Sequence, residues 1–267
     1  MSSAAVSEVR NPVQATPCDP LALAYMLRIG DACLIHGQRL AEWCGHAPVL
    51  EEDIALSNIA LDHIGQARLC LSLAGRLEGR GRDEDDLAYQ RAEHEFFNVT
   101  MLELPNGDFG RTLLRCHLWS TFMGGLWQAL AASSDAELAA IAVKSQKECR
   151  YHQRHAADWV LRLGDGTDES HRRMSQALIE LWPYTAEWFA DDAVDEAASR
   201  SAIGPSWSSL KAAWLGAVLP LLQEARLAPP ADTPFRSTGK QGRHSEYMGY
   251  LLAEMQSLAR AFPEAVW

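Results

Sequence analysis

The sequence predicts an all-α protein built as a bundle of long helices, on three observations. Runs of β-branched residues with the period-two alternation of strands are missing, while Ala, Leu, Glu and Arg dominate. Apolar residues recur at helical spacing over segments too long for strands. Short turns with clear stop signals separate those segments, as antiparallel neighbours in a bundle require.

The elements follow in order. A first helix is expected over 20–45, ended by Gly45-His46-Ala47-Pro48. A second, over 51–77, opens on Glu51, Glu52 and Asp53, acids that favour a helix N-terminus, and closes at Gly79-Arg80-Gly81. A third, over 84–104, is read as the crossover between two helix pairs. Pro105-Asn106-Gly107 turns the chain after it, since proline presets one dihedral and Asn-Gly accepts positive φ. A fourth runs over 110–132. Ser134-Asp135 supplies the N-cap of a fifth, over 135–163, which Gly164-Asp165-Gly166-Thr167 closes. Helices over 170–190, 206–227 and 243–261 are expected to pack outside the bundle, and 228–241 to be an irregular crossing loop. Residues 20–267 then form a single domain, and 1–19 a disordered lead-in.

Composition sets bounds on partners and compartment. The formal net charge of −11, from 24 basic and 35 acidic residues, excludes a general nucleic-acid binder, which shows a basic face. It also disfavours anionic membrane surfaces. The longest apolar run, near Trp214–Leu222, is interrupted by Pro220 and falls short of the roughly 18 apolar residues of a membrane span. No basic start followed by an apolar core opens the chain, so a secretory leader is not expected. The mean hydropathy of −0.17 suits a soluble protein. The six cysteines show no CxxC pair and read as small buried hydrophobes in a reducing cytoplasm. Nine tryptophans are too many for all to lie in one core of this size, so most are expected to be buried and the excess to mark a partner surface.

The chemistry lies on the inner helix faces. Around Asp31 the first helix carries Leu27, Leu34, Ile35, Gln38 and Glu42; around Asp62 the second carries Asn58, Ile59, Gly65 and Gln66; around Glu148 the fifth carries Lys144, Tyr151, His152, His155 and Trp159. Asp31, Asp62 and Glu148 sit where a carboxylate-bridged di-iron bundle places three of its ligands. Such a site takes a carboxylate from each of two helices and Glu-x-x-His from each of the other two. Here Gly65 stands three residues after Asp62, Tyr151 stands three after Glu148, and the 26 residues between Asp108 and Asp135 contain no Asp or Glu. The pattern is that of a di-iron scaffold that binds no iron.

The remaining groups are expected to form a vestigial buried cluster of Asp31, Asp62, Lys144, Glu148 and Tyr151, with Lys144 supplying the countercharge that buried carboxylates demand. Plainer alternatives stay open. Asp31 and Asp62 could be solvated acids, and Lys144–Glu148 an exposed i,i+4 ion pair. His152 and His155 could join Glu148 and Asp62 as ligands of a free-standing metalloenzyme, or could be hydrogen-bonded core or surface residues. No nucleophile elbow, dinucleotide fingerprint or P-loop is present.

Four segments carry a resemblance: QRLAEWCGHAPVLEEDIALSNIALDHIGQAR at 38–68, PNGDF at 105–109, KECRYHQRHAADWVLRLGDGTD at 147–168 and GRHSEYMGYLLAEMQSLARAFP at 242–263. Together they resemble the structural (C) subunit family of the bacterial phenylacetyl-CoA 1,2-epoxidases, also called ring-1,2-phenylacetyl-CoA oxygenases, from about residue 20 onward. The resemblance implies a ferritin-like four-helix bundle with a crossover helix and additional C-terminal helices. It implies a chain without a metal site or catalytic residues of its own, supporting a homologous catalytic subunit. That partner carries the di-iron site and epoxidises the aromatic ring in phenylacetate catabolism. A small subunit and a reductase with flavin and iron–sulfur groups complete the monooxygenase.

The resemblance further implies that the segment before Pro105 approaches the CoA thioester. Its aromatic and amide positions fall on Phe96 and Asn98, while Glu95 and Phe97 depart from the family's Gln and Ser. A second region falls at Glu196, Ala197 and Ala198. Trp43 and His46, near the first turn, are the candidate partner contacts. The competing readings are the free-standing metalloenzyme and an unrelated helical adaptor.

Overall fold

A computed structural model of the chain describes residues 19–265. Two long antiparallel pairs dominate it. Helix α1 (Pro20–Ala41) packs along α2 (Leu50–Glu78), and α4 (Phe109–Leu130) packs along α5 (Ala136–Gly164). Helix α2 also lies against α5. A contact between Cys116 on α4 and His36 on α1, 3.9 Å from Sγ to Nε2, closes the four helices into a bundle. Among the described residues only an isolated bridge between Thr238 and Arg243 has β character. The all-α bundle expected from the sequence is therefore the architecture found.

Small residues let α1 and α2 approach closely. A Cβ at Gly30 would lie 2.9 Å from Leu71 Cδ2, and one at Gly37 would lie 3.2 Å from the Ala60 carbonyl oxygen. The sequence signals the cap of α5 but not those of α1 and α4. Asp19, included in the expected lead-in, instead caps α1 through Leu21 N at 2.9 Å. Residues 1–18, the rest of that lead-in, lie outside the described residues. Asp108 caps α4 through Arg111 N at 2.8 Å, and Asp135 caps α5 through Glu137 N and Leu138 N.

The expected crossover helix over 84–104 is corrected. Only α3 (Glu84–Tyr89) is α-helical. Two short 3₁₀ turns follow, Glu93–Glu95 and Thr100–Glu103, with extended backbone at Phe96 and Val99. The segment spends its donors sideways rather than along a helix: Phe97 N–H donates to Asp31 Oδ2 at 2.9 Å and Thr100 N–H to Glu187 Oε2 at 3.0 Å. It is a buried strap across the bundle.

The outer layer also differs in detail. Pro183, which has no N–H to donate, divides the expected 170–190 helix into α6 (Asp168–Leu181) and α7 (Thr185–Trp188). An unexpected helix, α8 (Ala193–Arg200), is capped by Asp192 and packs on α1. Helix α9 (Lys211–Glu224) lies on α4 and α5, and α10 (Glu246–Ala261) on α3 and the strap.

Most of the tryptophans are buried, as expected. Trp119, Trp127, Trp188, Trp207 and Trp214 are buried, and Trp43, Trp159 and Trp182 are half-buried, so none of the eight described is exposed. Trp119, Phe122, Trp188, Trp207 and Trp214 form one ring cluster, with centroids 4.9–5.7 Å apart across its contacts, that joins α4 to the outer helices. The cysteine reading holds for Cys33, Cys70, Cys116 and Cys149, which are buried; Cys44 is exposed. Burial pushes the thiols of Cys70, Cys116 and Cys149 up to about 12, which makes them inert as nucleophiles.

Candidate functional site

The groups singled out in the bundle centre do not converge. Asp31 is fully buried, and both its oxygens are taken by the guanidinium of Arg91, which the strap brings in; Arg91 Nη1 lies 3.1 Å from Oδ2. Phe97 N–H adds the backbone bond already described. Burial pushes the carboxyl of Asp31 up against the pull of Arg91. Arg91 in turn stands 4.2 Å over the Phe96 ring. Asp62 pairs with His152 Nε2 at 2.9 Å, and Glu148 accepts from Gln66 Nε2 at 3.0 Å.

Three members of the expected buried cluster are corrected: the Asp62 side chain is 37% exposed at the edge of the α2/α5 seam, and the other two lie further out. The Lys144 side chain is 59% exposed and lies 3.5 Å from Glu148 across one helical turn. Tyr151 is 42% exposed and stacks on His155. Helical periodicity placed both on the Glu148 face, but that face meets solvent along one side. Lys144 is the exposed i,i+4 partner, and the buried countercharge is Arg91.

In place of a charged cluster, the interior holds imidazoles. The rings of His36 on α1 and His63 on α2 meet edge-on at 4.8 Å, and His63 meets His152 on α5 at 4.9 Å. Burial lowers His36 and His63 well below the ordinary histidine value, each reinforced by its neighbouring imidazole, so both are neutral at pH 7. His117 on α4 is pushed down to about 4 by burial alone.

These donors do not fit a di-iron centre. Such a centre needs carboxylates free to bridge metal ions from all four helices. Here Asp31 is saturated by arginine, Asp62 is held by histidine, Glu148 by glutamine, and α4 offers His117 and no acid. Among the described residues no group of three or more His, Cys, Asp or Glu side chains is arranged to hold a metal ion. Nor do His152 and His155 form a site with Glu148 and Asp62. His155 Nε2 reaches Glu52 Oε2 at 2.8 Å, about three helical turns along α2 from Asp62, so each histidine has its own carboxylate.

The expected substrate-facing residues are mostly sealed in. Phe96 and Asn98 are fully buried, Asn98 donating to Glu103 Oε2 at 3.1 Å; Ala197 and Ala198 are core residues of α8. They are corrected from ligand contacts to packing and positioning residues. Glu95 and Phe97 are half-buried, the Glu95 carboxylate accepting from Ala92 N, and Glu196 is exposed. Of the expected partner contacts, Trp43 is tied inward by a hydrogen bond to Thr112 Oγ1 at 3.1 Å and by Phe109, while His46 is exposed.

Sequence reading missed the charge networks that pin the strap and the C-terminal loop. Glu103 accepts from Asn98 and from His244 Nδ1 at 2.6 Å, while His244 Nε2 faces the Phe96 carbonyl at 2.9 Å. Both neighbours are acceptors, so the imidazole must donate from both nitrogens. Burial alone would push His244 down, but Glu103 and the Phe96 carbonyl outweigh it and hold it above its ordinary value. Arg28 binds Asp192 at 2.7 Å and Asp195 at 3.0 Å, and Lys240 Nζ reaches Asp195 at 3.0 Å. Only Arg28, an isolated charge inside the apolar run YMLRIG, carried a sequence signal for this.

The chain matches the Phenylacetic acid catabolic protein family over residues 10–267. It is 47% identical, over 244 residues, to the C component of the 1,2-phenylacetyl-CoA epoxidase of Escherichia coli (strain K12), one of the subunits of that enzyme. The alignment covers 91% of this chain and 98% of that protein.

Proposed function

Because the chain belongs to the phenylacetic acid catabolic protein family, we propose that it is the subunit of a phenylacetyl-CoA epoxidase complex that supports a homologous catalytic subunit without performing the oxidation itself. Membership and the similarity to a subunit of the epoxidase support a place in that complex. The supporting role rests on one observation above all: each of the three carboxylates at the ligand positions already has a protein partner, Asp31 with Arg91, Asp62 with His152 and Glu148 with Gln66. A group already held by a guanidinium inside the protein would have to break that pair before it could ligate a metal.

In this reading the di-iron chemistry belongs to the partner, the reductase supplies electrons from flavin and iron–sulfur groups, and the CoA thioester is met only within the assembled complex. No described helix is long and apolar enough to cross a membrane, which suits a subunit that assembles away from one. The test is reconstitution from separately purified subunits, with phenylacetyl-CoA turnover measured while each is omitted, and iron measured on this chain alone. The expected result is no turnover and trace iron from this chain by itself, with strongly reduced turnover when it is left out. About two iron atoms on this chain, the content of a di-iron site, or unchanged turnover in its absence, would overturn the reading.

A further inference from the structure

Helices α2 and α5 lie side by side and antiparallel, joined by three polar pairs: Glu52–His155, Asp62–His152 and Gln66–Glu148. These pairs give each acid of the seam a hydrogen-bond partner from the facing helix. Along its outward side α2 shows three large apolar side chains, with the exposed Asn58 between the second and the third. Leu50 is 70% exposed, Ile54 53% and Leu61 65%, and they follow one another at i, i+4 and i+11, one stripe of a helix. Gly65 continues the stripe one turn on, and a Cβ there would meet nothing within 4 Å. From α5, Tyr151 adds its exposed ring beside the same Asp62–His152 pair that Leu61 flanks. Single exposed leucines are ordinary on a protein surface, but several large exposed apolar side chains on two packed helices mark a candidate interaction face.

The charge beside that stripe tells what covers it. Lys144, Lys147, Tyr151 and Arg154 recur at three- and four-residue spacing on the exposed side of α5. Lys144 is shared with Glu148, while Lys147 and Arg154 have no hydrogen-bond or ion-pair partner among the described residues. This basic row stands out in a chain of net charge −11. An apolar helix face edged with carboxylates matches it in both respects. A second copy of this chain does not, because a two-fold contact through the stripe would bring the same cations together from both sides.

We propose that the α2/α5 face docks an apolar, acid-edged helix face of another protein subunit. Given the supporting role proposed above, on which this identification rests, that subunit is the homologous catalytic one. The face begins at Val49 and Leu50, directly after the turn that holds His46, so that turn lies at its edge. Leu61 and Tyr151 would form its centre, and Lys147 and Arg154 its rim.

Equilibrium binding between the full-length chain and the purified catalytic subunit tests this, with Leu61→Asp, the double variant Lys147→Glu/Arg154→Glu, and Tyr250→Asp on α10, 73% exposed, as control. All four positions are solvent-facing, and circular dichroism checks that each variant folds. Leu61→Asp and the charge-reversed variant should each raise Kd at least tenfold, the second with a flatter dependence on salt, while the control binds as wild type. Hydrogen exchange over 50–65 and 143–154 should slow in the complex. Tight wild-type binding with unchanged affinity in both test variants would overturn the docking face and leave the supporting role standing. Absence of any complex with the wild-type chain would overturn both. Self-association of this chain that Leu61→Asp abolishes would show a second copy to be the occupant and overturn the proposal.

Discussion

The pair formed by Asp31 and Arg91 should be among the costliest places to disturb this fold. Both side chains are essentially without solvent contact, and they join α1 to the strap across 60 residues of sequence. Removing one partner of a buried ion pair leaves an uncompensated charge in the interior, which typically costs about 3–5 kcal/mol. Asp31→Ala also orphans the Phe97 N–H, a further loss of roughly 1–3 kcal/mol if no water replaces the carboxylate. Native stability is usually only about 5–15 kcal/mol, so a single change here should remove a large part of it. Asp31→Asn keeps the shape and still accepts from Phe97, so it isolates the contribution of charge. The double variant Asp31→Leu/Arg91→Met removes both charges and should be milder than the sum of the two single changes by more than about 1 kcal/mol. Urea unfolding at pH 7, followed by circular dichroism at constant m-value, measures all of these variants. A single change costing less than about 1 kcal/mol, or a double change equal to the sum, would refute the account of Arg91 as the countercharge.

Lys144→Ala should shift stability by less than about 1 kcal/mol in the same assay, the usual range for an exposed ion pair; a loss of several kcal/mol would return Lys144 to the core. His117, held near 4 by burial, resists a proton that the unfolded chain accepts below about pH 6.5, so its contribution to stability is lost as pH falls from about 6.5 toward 4. At about 1.4 kcal/mol per pH unit this amounts to about 3.5 kcal/mol, and His117→Met should flatten the decline by about one proton; an unchanged slope would contradict the burial. His244 has the opposite sign. Its raised value means that the pairing with Glu103 is fully stabilising below about pH 6.5 and weakens as pH rises through the folded value. His244→Gln should therefore cost more at pH 6 than at pH 9 in thermal unfolding, and an equal cost at both would sink the assignment.

The bundle was legible in the sequence because its signals are local. Ser134-Asp135 announces the start of α5, and Pro105-Asn106-Gly107 the turn between the strap and α4. The strap was not legible, because its conformation is decided by partners far along the chain. Residues 90–104 have ordinary helical composition, yet their N–H groups meet Asp31 and Glu187, which lie 66 and 87 positions from the residues they bind. A local reading gives those donors to a helix; the tertiary acceptors take them instead. The same holds for α8, whose Asp195 is drawn into the interior by Arg28 and Lys240.

The bundle centre shows where periodicity stops being informative. It placed Asp31, Asp62 and Glu148 on faces turned toward other helices, and each does meet a neighbouring element. It could not tell which element, because a helical wheel fixes an angle and not the depth or identity of what lies opposite. Lys144 and Tyr151 share the Glu148 face only loosely, and a modest offset in angle is enough to move them from the seam to solvent. The countercharge for Asp31 had to come from somewhere, since a buried carboxylate requires one. The sequence states that requirement, and only the path of the strap identifies Arg91 as the residue that meets it. A bundle that buries one carboxylate against an arginine and gives the two at its α2/α5 seam partners from the facing helix has no free acid left there. The outer faces of α2 and α5 are then left as the surface through which such a chain can act on another.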